Sequence, residues 1–594
     1  MEWALFGVVA IVSIVAAGAF ANKLGVAAPI ILIVLGVGFS FIPGAPTTVP
    51  PEIILAGILP PILYSSAVNV SIVDFRRNFV SIFGLSFVLV LVSAFATGWL
   101  LFVLFPKLSF AEGVAIGAVI SPTDAVAATA IGKRLGLPPR LVTILEGEGL
   151  VNDATALVLL KSAVAAIAAS ISFWGSLGEF VYAVIVAILV GLIVGWVTVW
   201  VRAKFRDSVL DTAISFAIPF VAYIPAEAAH ASGVIAVVAA GLYSGHAAAV
   251  KFSPQARISE RLNWRTIQFV LENGVFLLMG LEISKIIQDV QTHATADEPG
   301  VLGSVLLGLL ATALLIVLRF IFVPPLLLWV RAGWRGAEKN QSRFRQRLDR
   351  FIDMATGAAR DPKLITASNS DRAKKRIDMA ERSYTQREND ITQLKAEELG
   401  WRGGVVLSWS GMRGVVTLAA AQSLPETIHY RAQLILIAFT VAVVTLVFEG
   451  ATLPLVIRLT GIQGTDKVAD RRSLAELLDE LTEAGLAVLD NPSLELPGGA
   501  KLSQDVIDKV REDSHIASET AWERADHGTG DDELANSPRR QYRDLRREVL
   551  AAEREALIEA RGNGAYPSRI LGRAQTMLDF EETRLEALDN QSGL

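Results

Sequence analysis

The chain has 594 residues, 52% of them apolar and only 19% charged, with a mean hydropathy of +0.47. That composition excludes the set of about four soluble domains that the length alone would suggest, and the absence of cysteine excludes disulfides, thiolate metal sites and cysteine nucleophiles. The net charge of −5 averages two unlike parts: residues 465–594 hold 28 acids and 17 bases, a net of −11, and the remainder is net +6.

A spanning helix needs about 20 mostly apolar residues, and positions 1–460 supply such stretches repeatedly. In chain order the sequence predicts thirteen spans, at 3–21, 28–43, 52–69, 78–105, 111–133, 141–169, 178–201, 208–225, 231–246, 264–285, 301–330, 403–424 and 432–458. The 28–43 and 231–246 segments are short, so a re-entrant hairpin is an alternative for either. The start, Met1-Glu2-Trp3, is acidic where a secretory signal would be basic, so the first span is read as a retained helix. With the N-terminus outside, the short cytoplasmic loops carry thirteen Lys/Arg (Lys23, Arg76, Arg77, Lys133, Arg134, Arg140, Arg202, Lys204, Arg206, Lys251, Arg257, Arg261 and Arg265). The opposite side carries three, Lys107, Lys285 and Arg431. This positive-inside bias orients the chain and puts both a charged insertion, 331–402, and the acidic tail, 465–594, in the cytoplasm.

The insertion holds 17 bases and 11 acids, including Arg343–Arg347 and Lys374–Arg376, and reads as a solvated helical loop near anionic headgroups. A regulatory lipid or protein site is the sharper alternative. The tail has helical stretches such as 540–560, with Arg/Glu spacing suited to exposed intrahelical pairs. Breaks are expected at Pro497-Gly498-Gly499 and across Asp526–Asp532, and the ligand of the tail is unknown.

Ionisable side chains at membrane depth are costly and usually mark ion pathways. Asp124, Asp153 and Arg413 fall close to the middle of their spans. Asp124 lies in Ile120-Ser-Pro-Thr-Asp-Ala-Val126, where Pro122 lacks an amide proton and disfavours helical geometry at Ser121. A span broken at mid-depth follows, with Thr123 and Asp124 opening its second half; a simple kink with Asp124 as N-cap is the competing account. The next span holds Glu146-Gly-Glu-Gly-Leu-Val-Asn-Asp153, in which Glu148 and Asn152 share a helix face. Oxygen ligands from Asp153, Asp124 and Thr123 suit a hard cation such as Na⁺, whereas Glu148 reads as an ion-pair member with Arg413 as its expected partner. Arg413 is bracketed by Gly411 and Gly414 in Ser408–Thr417, so this span too is expected to be interrupted. Two interrupted spans of opposite direction, one in each half, match an inverted repeat. Glu272 in 264–285 could face either a helix or the pathway, Lys161 reads as snorkelling, and Glu449 carries no assigned role.

Ser121–Ala127, Leu145–Ala154, Ser408–Gly414, Phe269–Leu281 and Glu449–Leu455 together resemble the NhaP-type sodium/proton exchangers of the monovalent cation/proton antiporter-1 family. The resemblance runs in order across 1–460 and leaves the insertion and the tail uncovered. It implies an all-α polytopic homodimer of about thirteen helices, with a dimerisation domain and a mobile elevator core, in the plasma membrane. By the same resemblance Asp153 is the essential cation/proton carboxylate, Asp124 and Thr123 are cation ligands, Asn152 orients the site, and Glu148 with Arg413 forms a stabilising pair. The family commonly has Ser where this chain has Gly149. Asn152, where electrogenic relatives carry a second Asp, resembles the electroneutral branch.

The expected activity is exchange of Na⁺ (or Li⁺) for H⁺ by alternating access, with both competing at Asp153. The chain is then a transporter rather than an enzyme, with no cofactor, no nucleic-acid partner, and monovalent cations, protons and the bilayer as its partners. K⁺/H⁺ exchange is the main alternative. A tail-gated channel or sensor, and an intramembrane aspartyl protease using the two Asp residues, are weaker ones.

Overall fold

The computed structural model describes residues 2–24, 27–42, 49–168, 173–205, 207–293, 298–358, 379, 384–395, 397–462, 464, 467–490, 504–526, 538–562, 574–575, 577–578 and 580–582. Among these residues the regular structure is entirely helical. The chain falls into two compact units, 1–463 and 464–594.

The first unit begins with α1 (Glu2–Leu24), α2 (Ala28–Ser40), α3 (Ile53–Asn69), α4 (Ile72–Arg77) and α5 (Phe79–Leu104). Next come α6 (Phe110–Ile120) and α7 (Ala125–Arg134), followed by α8 (Pro139–Ala168), α9 (Phe173–Arg202), α10 (Ser208–Ala228) and α11 (Gly233–Lys251). Then follow α12 (Pro254–Leu281), α13 (Ile283–His293) and the long α14 (Val301–Ala358). The unit closes with α15 (Trp401–Trp409), α16 (Val415–Gln422) and α17 (Arg431–Thr460).

Local chemistry explains many of the helix ends. Ser109 and Glu112 form a capping box on α6: the Ser109 amide donates to Glu112 Oε2 (2.6 Å) and the Glu112 amide to Ser109 Oγ (3.2 Å). Asp207, Ser232 and Ser253 cap α10, α11 and α12, and Pro254 occupies the first turn of α12, where no amide proton is needed. In α3 the Pro60-Pro61 pair removes two consecutive amide donors, and the turn before it, Ile53–Ile58, takes the wider π register, with the Leu59 amide donating to Ile54 O.

Among the described residues, seven helices are long and apolar enough to cross a membrane by length and composition: α5, the α6–α7 pair, α8, α9, α10, the 301–333 part of α14, and α17. Four shorter apolar helices lie at 6–21, 28–40, 53–69 and 233–248. The two segments with a re-entrant alternative are instead single uninterrupted helices, α2 and α11. The remaining predicted spans, 264–285 and 403–424, fall on α12 and on the α15–α16 pair.

Buried apolar side chains form two principal clusters. One joins α5, α6, α8 and α14–α17, as in Leu89, Ile116, Leu145, Leu315, Leu407 and Leu446. The other joins α3, α9, α10 and α11 with Leu150, Ala154 and Trp264, as in Tyr64, Ala187, Ile218 and Val237. Residues from α3, α8, α12 and α16 line a cavity flanked by both clusters.

The insertion does not remain a free loop where it is described. Arg76 and Arg77 grip Asp390 (2.8 and 2.6 Å), and Arg331 pairs with Glu398. Arg140 donates to the Leu394 and Glu397 carbonyls (3.1 and 3.0 Å) and to Asn78 Oδ1 (2.9 Å). Residues 384–395 and 397–398 thus belong to a strap held by α4, α8 and α14. Arg343–Arg347 continue α14, whereas Lys374–Arg376 lie outside the described residues.

In the second unit, α18 (Lys467–Leu486) packs against α19 (Gln504–Asp526). The stretch 540–560 lies within α20 (Pro538–Gly562), where Arg546 binds Glu553 and Glu581 (3.2 and 2.8 Å). The expected break at 497–499 lies outside the described residues; of the one expected across Asp526–Asp532, Asp526 is the last residue of α19 and 527–532 lie outside them.

Candidate functional site

Both predicted interruptions are present, and they meet. The first leaves Ser121–Asp124 between α6 and α7, and the second leaves Ser410–Gly414 between α15 and α16. The Asp124 amide donates to the Met412 carbonyl at 2.6 Å, a main-chain bond that joins the two breaks. Asp124 caps α7 through Oδ1, which accepts from the Val126 amide (2.8 Å). Its carboxylate also lies against Gly414, the residue that opens α16: a Cβ built there would stand 2.6 Å from Asp124 Cβ and 2.7 Å from Oδ2. One carboxylate therefore serves the positive ends of two half-helices.

The two C-terminal ends of the first halves each receive a guanidinium. Arg413 Nε donates to the Ile120 carbonyl at the end of α6 (3.3 Å), and its Nη1 donates to Gly411 O. Arg319, from the apolar part of α14, donates through Nε to the Leu407 carbonyl near the end of α15 (3.0 Å). Carbonyls freed by a helix end carry partial negative charge and have no water to turn to at this depth.

Arg319 also corrects the expected ion pair. Glu148 does not pair with Arg413. It takes a two-pronged bridge from Arg319, Nη1 to Oε1 at 2.5 Å and Nη2 to Oε2 at 2.8 Å, with both side chains buried. Two parallel bonds fit the planar guanidinium fork, the geometry in which arginine holds a carboxylate best. Arg413 lies within the electrostatic reach of Glu449, which is buried on α17, and also of Glu148, without a direct bridge to it. The sequence signal for Arg319 was the same one that marked the other charges, an ionisable residue inside an apolar span.

Thr123, Asn152 and Glu148 form a connected set. Thr123 Oγ1 donates to Glu148 Oε1 (2.7 Å), and Asn152 Nδ2 donates to the Thr123 carbonyl (2.7 Å) and hydroxyl (3.0 Å). Asn152 is fully buried, and its Oδ1 has no hydrogen-bond partner among the described residues. The bridge thereby fixes Thr123, and Asn152 clamps the broken segment onto α8.

Asp153, one residue on and turned to another face of α8, lines a cavity of about 420 Å³ together with Asp124, Thr123, Gly149 and Thr417. Asp153 and Asp124 are near enough for their charges to interact. Glu272 is a third carboxylate on this wall, which settles its orientation toward the cavity. Gln268 holds it by donating to Oε1 (2.7 Å), while donating to Ser66 Oγ (3.1 Å) and accepting from Ser65 Oγ (2.8 Å). Arg261, Arg265 and the Lys133–Glu146 pair (2.7 Å) also line the cavity. The repulsion among three neighbouring carboxylates is relieved by a bound cation or a bound proton, so the wall can exchange one for the other. Lys161 is half-exposed, with Nζ 2.6 Å from Glu227 Oε2.

The packing at Gly414 yields a direct prediction. Gly414→Ala places a methyl carbon inside contact distance of Asp124, so the carboxylate must leave its seat. Cation-driven proton flux in reconstituted vesicles is expected to be lost while the protein remains monodisperse; full activity in that variant would show that the seat of Asp124 is immaterial.

Comparison with known proteins gives concordant results. A family described as sodium/hydrogen exchanger, transmembrane, matches residues 9–347. The chain is 28% identical over 594 residues to an uncharacterized Na⁺/H⁺ exchanger of Mycobacterium tuberculosis, covering 98% of this chain and 96% of that one. It is 26% identical over 476 residues to a sodium, potassium, lithium and rubidium/H⁺ antiporter of Bacillus pumilus, covering 75% of this chain and 60% of that protein. The fold is similar to that of the sodium proton antiporter MjNhaP1 from Methanocaldococcus jannaschii, with a TM-score of 0.52 and 16% identity over 78% of this chain and 100% of that one. The fold is thus NhaP-like, and because the family match spans more than half of the chain, the chain belongs to the sodium/hydrogen exchanger family of multi-pass cation/proton antiporters.

Proposed function

We propose that the protein exchanges Na⁺ or Li⁺ for H⁺ one for one across the plasma membrane, by alternating access with competition at Asp153. The observation that carries this reading is the placement of Asp153 beside Asp124 on one cavity, at the junction of two broken helices. Asp153 holds either a proton or the cation, Asp124 and Thr123 supply further oxygens, and Asn152 keeps Thr123 in place. Glu148 and Arg413 act as supports, Glu148 through Arg319 and Arg413 through the α6 carbonyl end. The pathway is built without a cofactor. A homodimer of about thirteen crossings per protomer, with an outside N-terminus and a mobile core, belongs to the same proposal.

The test is proton flux in proteoliposomes driven in turn by Na⁺, Li⁺ and K⁺ gradients. Flux that saturates with Na⁺ or Li⁺ and is strictly coupled to protons supports the reading, and absence of cation-driven flux would overturn it. The Bacillus pumilus relative is named for potassium as well as sodium, which supports K⁺/H⁺ exchange as the second reading; equal flux with K⁺ would select it. We further propose that residues 465–594 are a cytoplasmic regulatory tail. Removing them is expected to shift the pH at which exchange is half-maximal, and an unchanged pH profile in the truncated protein argues against that role.

A further inference from the structure

Thr417 sits in the first turn of α16 and lines the cavity shared by Asp124 and Asp153. It is 1% exposed, and its hydroxyl oxygen has no hydrogen-bond partner among the described residues. Several threonines in these apolar helices solve that problem by donating to the carbonyl four residues back, although the Thr212 hydroxyl on α10 is also without a partner among the described residues. Thr97 does so to Ser93 (2.6 Å), Thr155 to Val151 (2.9 Å) and Thr445 to Val441 (2.8 Å).

For Thr417 the residue four back is Arg413, which lies in the interruption rather than in the helix. The break that seats Asp124 therefore also removes the usual acceptor of Thr417. A buried hydroxyl in that position costs free energy unless something else engages it. The facing wall carries no such group at position 149. A Cβ on Gly149 would stand 2.8 Å from Ala125 Cβ, so α8 and α7 close together there with no room for a side chain.

We infer that the Thr417 hydroxyl oxygen is a ligand of the transported monovalent cation, contributed by the second interrupted helix, and that it helps to set cation preference. The inference rests on the exchange reading above. Hard cations are held by oxygen, and a neutral hydroxyl adds a ligand without adding charge, so one-for-one exchange at Asp153 is undisturbed. Its lone pairs face the cation. The ligand set then draws on α8, on the first break and on α16, so the cation bridges the two halves of the repeat.

Thr417→Val removes the oxygen at nearly constant volume, and Thr417→Ser retains it. In proteoliposomes Thr417→Val is expected to raise the half-saturating Na⁺ concentration about tenfold. Its maximal rate should stay within about twofold, the Na⁺:Li⁺:K⁺ preference should change, and Thr417→Ser should remain close to the parent protein. In detergent, the cation-free Thr417→Val protein should unfold at the same temperature as the parent or higher, because a partnerless polar atom has gone. The rise in unfolding temperature on adding NaCl should shrink, since that rise reports binding to the folded state.

A purely structural role predicts the reverse, a lower cation-free unfolding temperature with unchanged half-saturation. That result, or parental half-saturation and selectivity in Thr417→Val, overturns the inference. If Thr417→Val fails to fold, Thr417→Ala set against Thr417→Ser gives the same comparison. Should the parent protein show no cation-driven flux, the exchange reading fails, and the Na⁺-induced thermal shift alone decides whether Thr417 binds a cation.

Discussion

Asp153→Asn is expected to reduce cation-driven proton flux to that of protein-free vesicles at every pH. Asparagine matches aspartate in size but can neither carry the exchanged proton nor balance a cation's charge. Asp124 cannot take over, because its Oδ1 is committed to the Val126 amide and its Oδ2 lies against Gly414 at the start of α16. The variant should fold at least as well as the parent, since an ionisable group has been removed from a partly dehydrated cavity. In the parent protein the cation requires the deprotonated carboxylate, so exchange should fail as the pH falls and protons occupy the site. Undiminished flux in Asp153→Asn would remove this residue from the transport cycle.

Arg319→Met should be among the most destabilising substitutions in the molecule, at about 3–5 kcal/mol. It leaves Glu148 buried and unpaired, and it also strips the Leu407 carbonyl of its donor. Because Glu148 holds the Thr123 hydroxyl, the broken segment loosens with it. Arg319→Lys should recover little, because a point charge cannot reproduce the two parallel bonds to Oε1 and Oε2. The double variant Arg319→Met with Glu148→Leu should be more stable than either single change, since it removes the charge that each single change strands. Thermal unfolding in detergent of the parent, the three single variants and the double variant measures this, and a parental unfolding temperature for Arg319→Met would show that the bridge contributes nothing.

The residues whose chemistry is local were readable in the sequence. Pro122 removes an amide donor and disfavours helix continuity at Ser121, and the glycines around Arg413 mark a second break. Asp124, Asp153 and Arg413 declare themselves by being charged within apolar runs. Partner choice was not readable, because it depends on how each helix is rotated about its axis. Glu148 lies 171 residues from Arg319, and no spacing rule reaches across that separation. The rotation of α12 likewise decides that Glu272 faces the cavity, where Gln268, four residues earlier, holds it. The loop bases gave an orientation by their number, yet Arg76, Arg77 and Arg140 turn out to hold Asp390 and the Leu394 and Glu397 carbonyls of the strap. A count of charges cannot distinguish a headgroup contact from an aspartate on a distant segment.

The junction between the two breaks also bears on how the protein is made. Arg413 reaches back to Ile120 across 293 residues. At about 5–20 residues per second, a ribosome takes about 15–60 s to traverse that stretch. During this interval the Ile120 carbonyl and the Asp124 amide lack the partners that Arg413 and Met412 supply, and Asp124 has no second half-helix beside it. Insertion machinery or a chaperone within the membrane has to shelter that segment until Met412 and Arg413 emerge. A nascent chain arrested just before residue 403 should therefore be a target for membrane proteases, and one released after residue 460 should not.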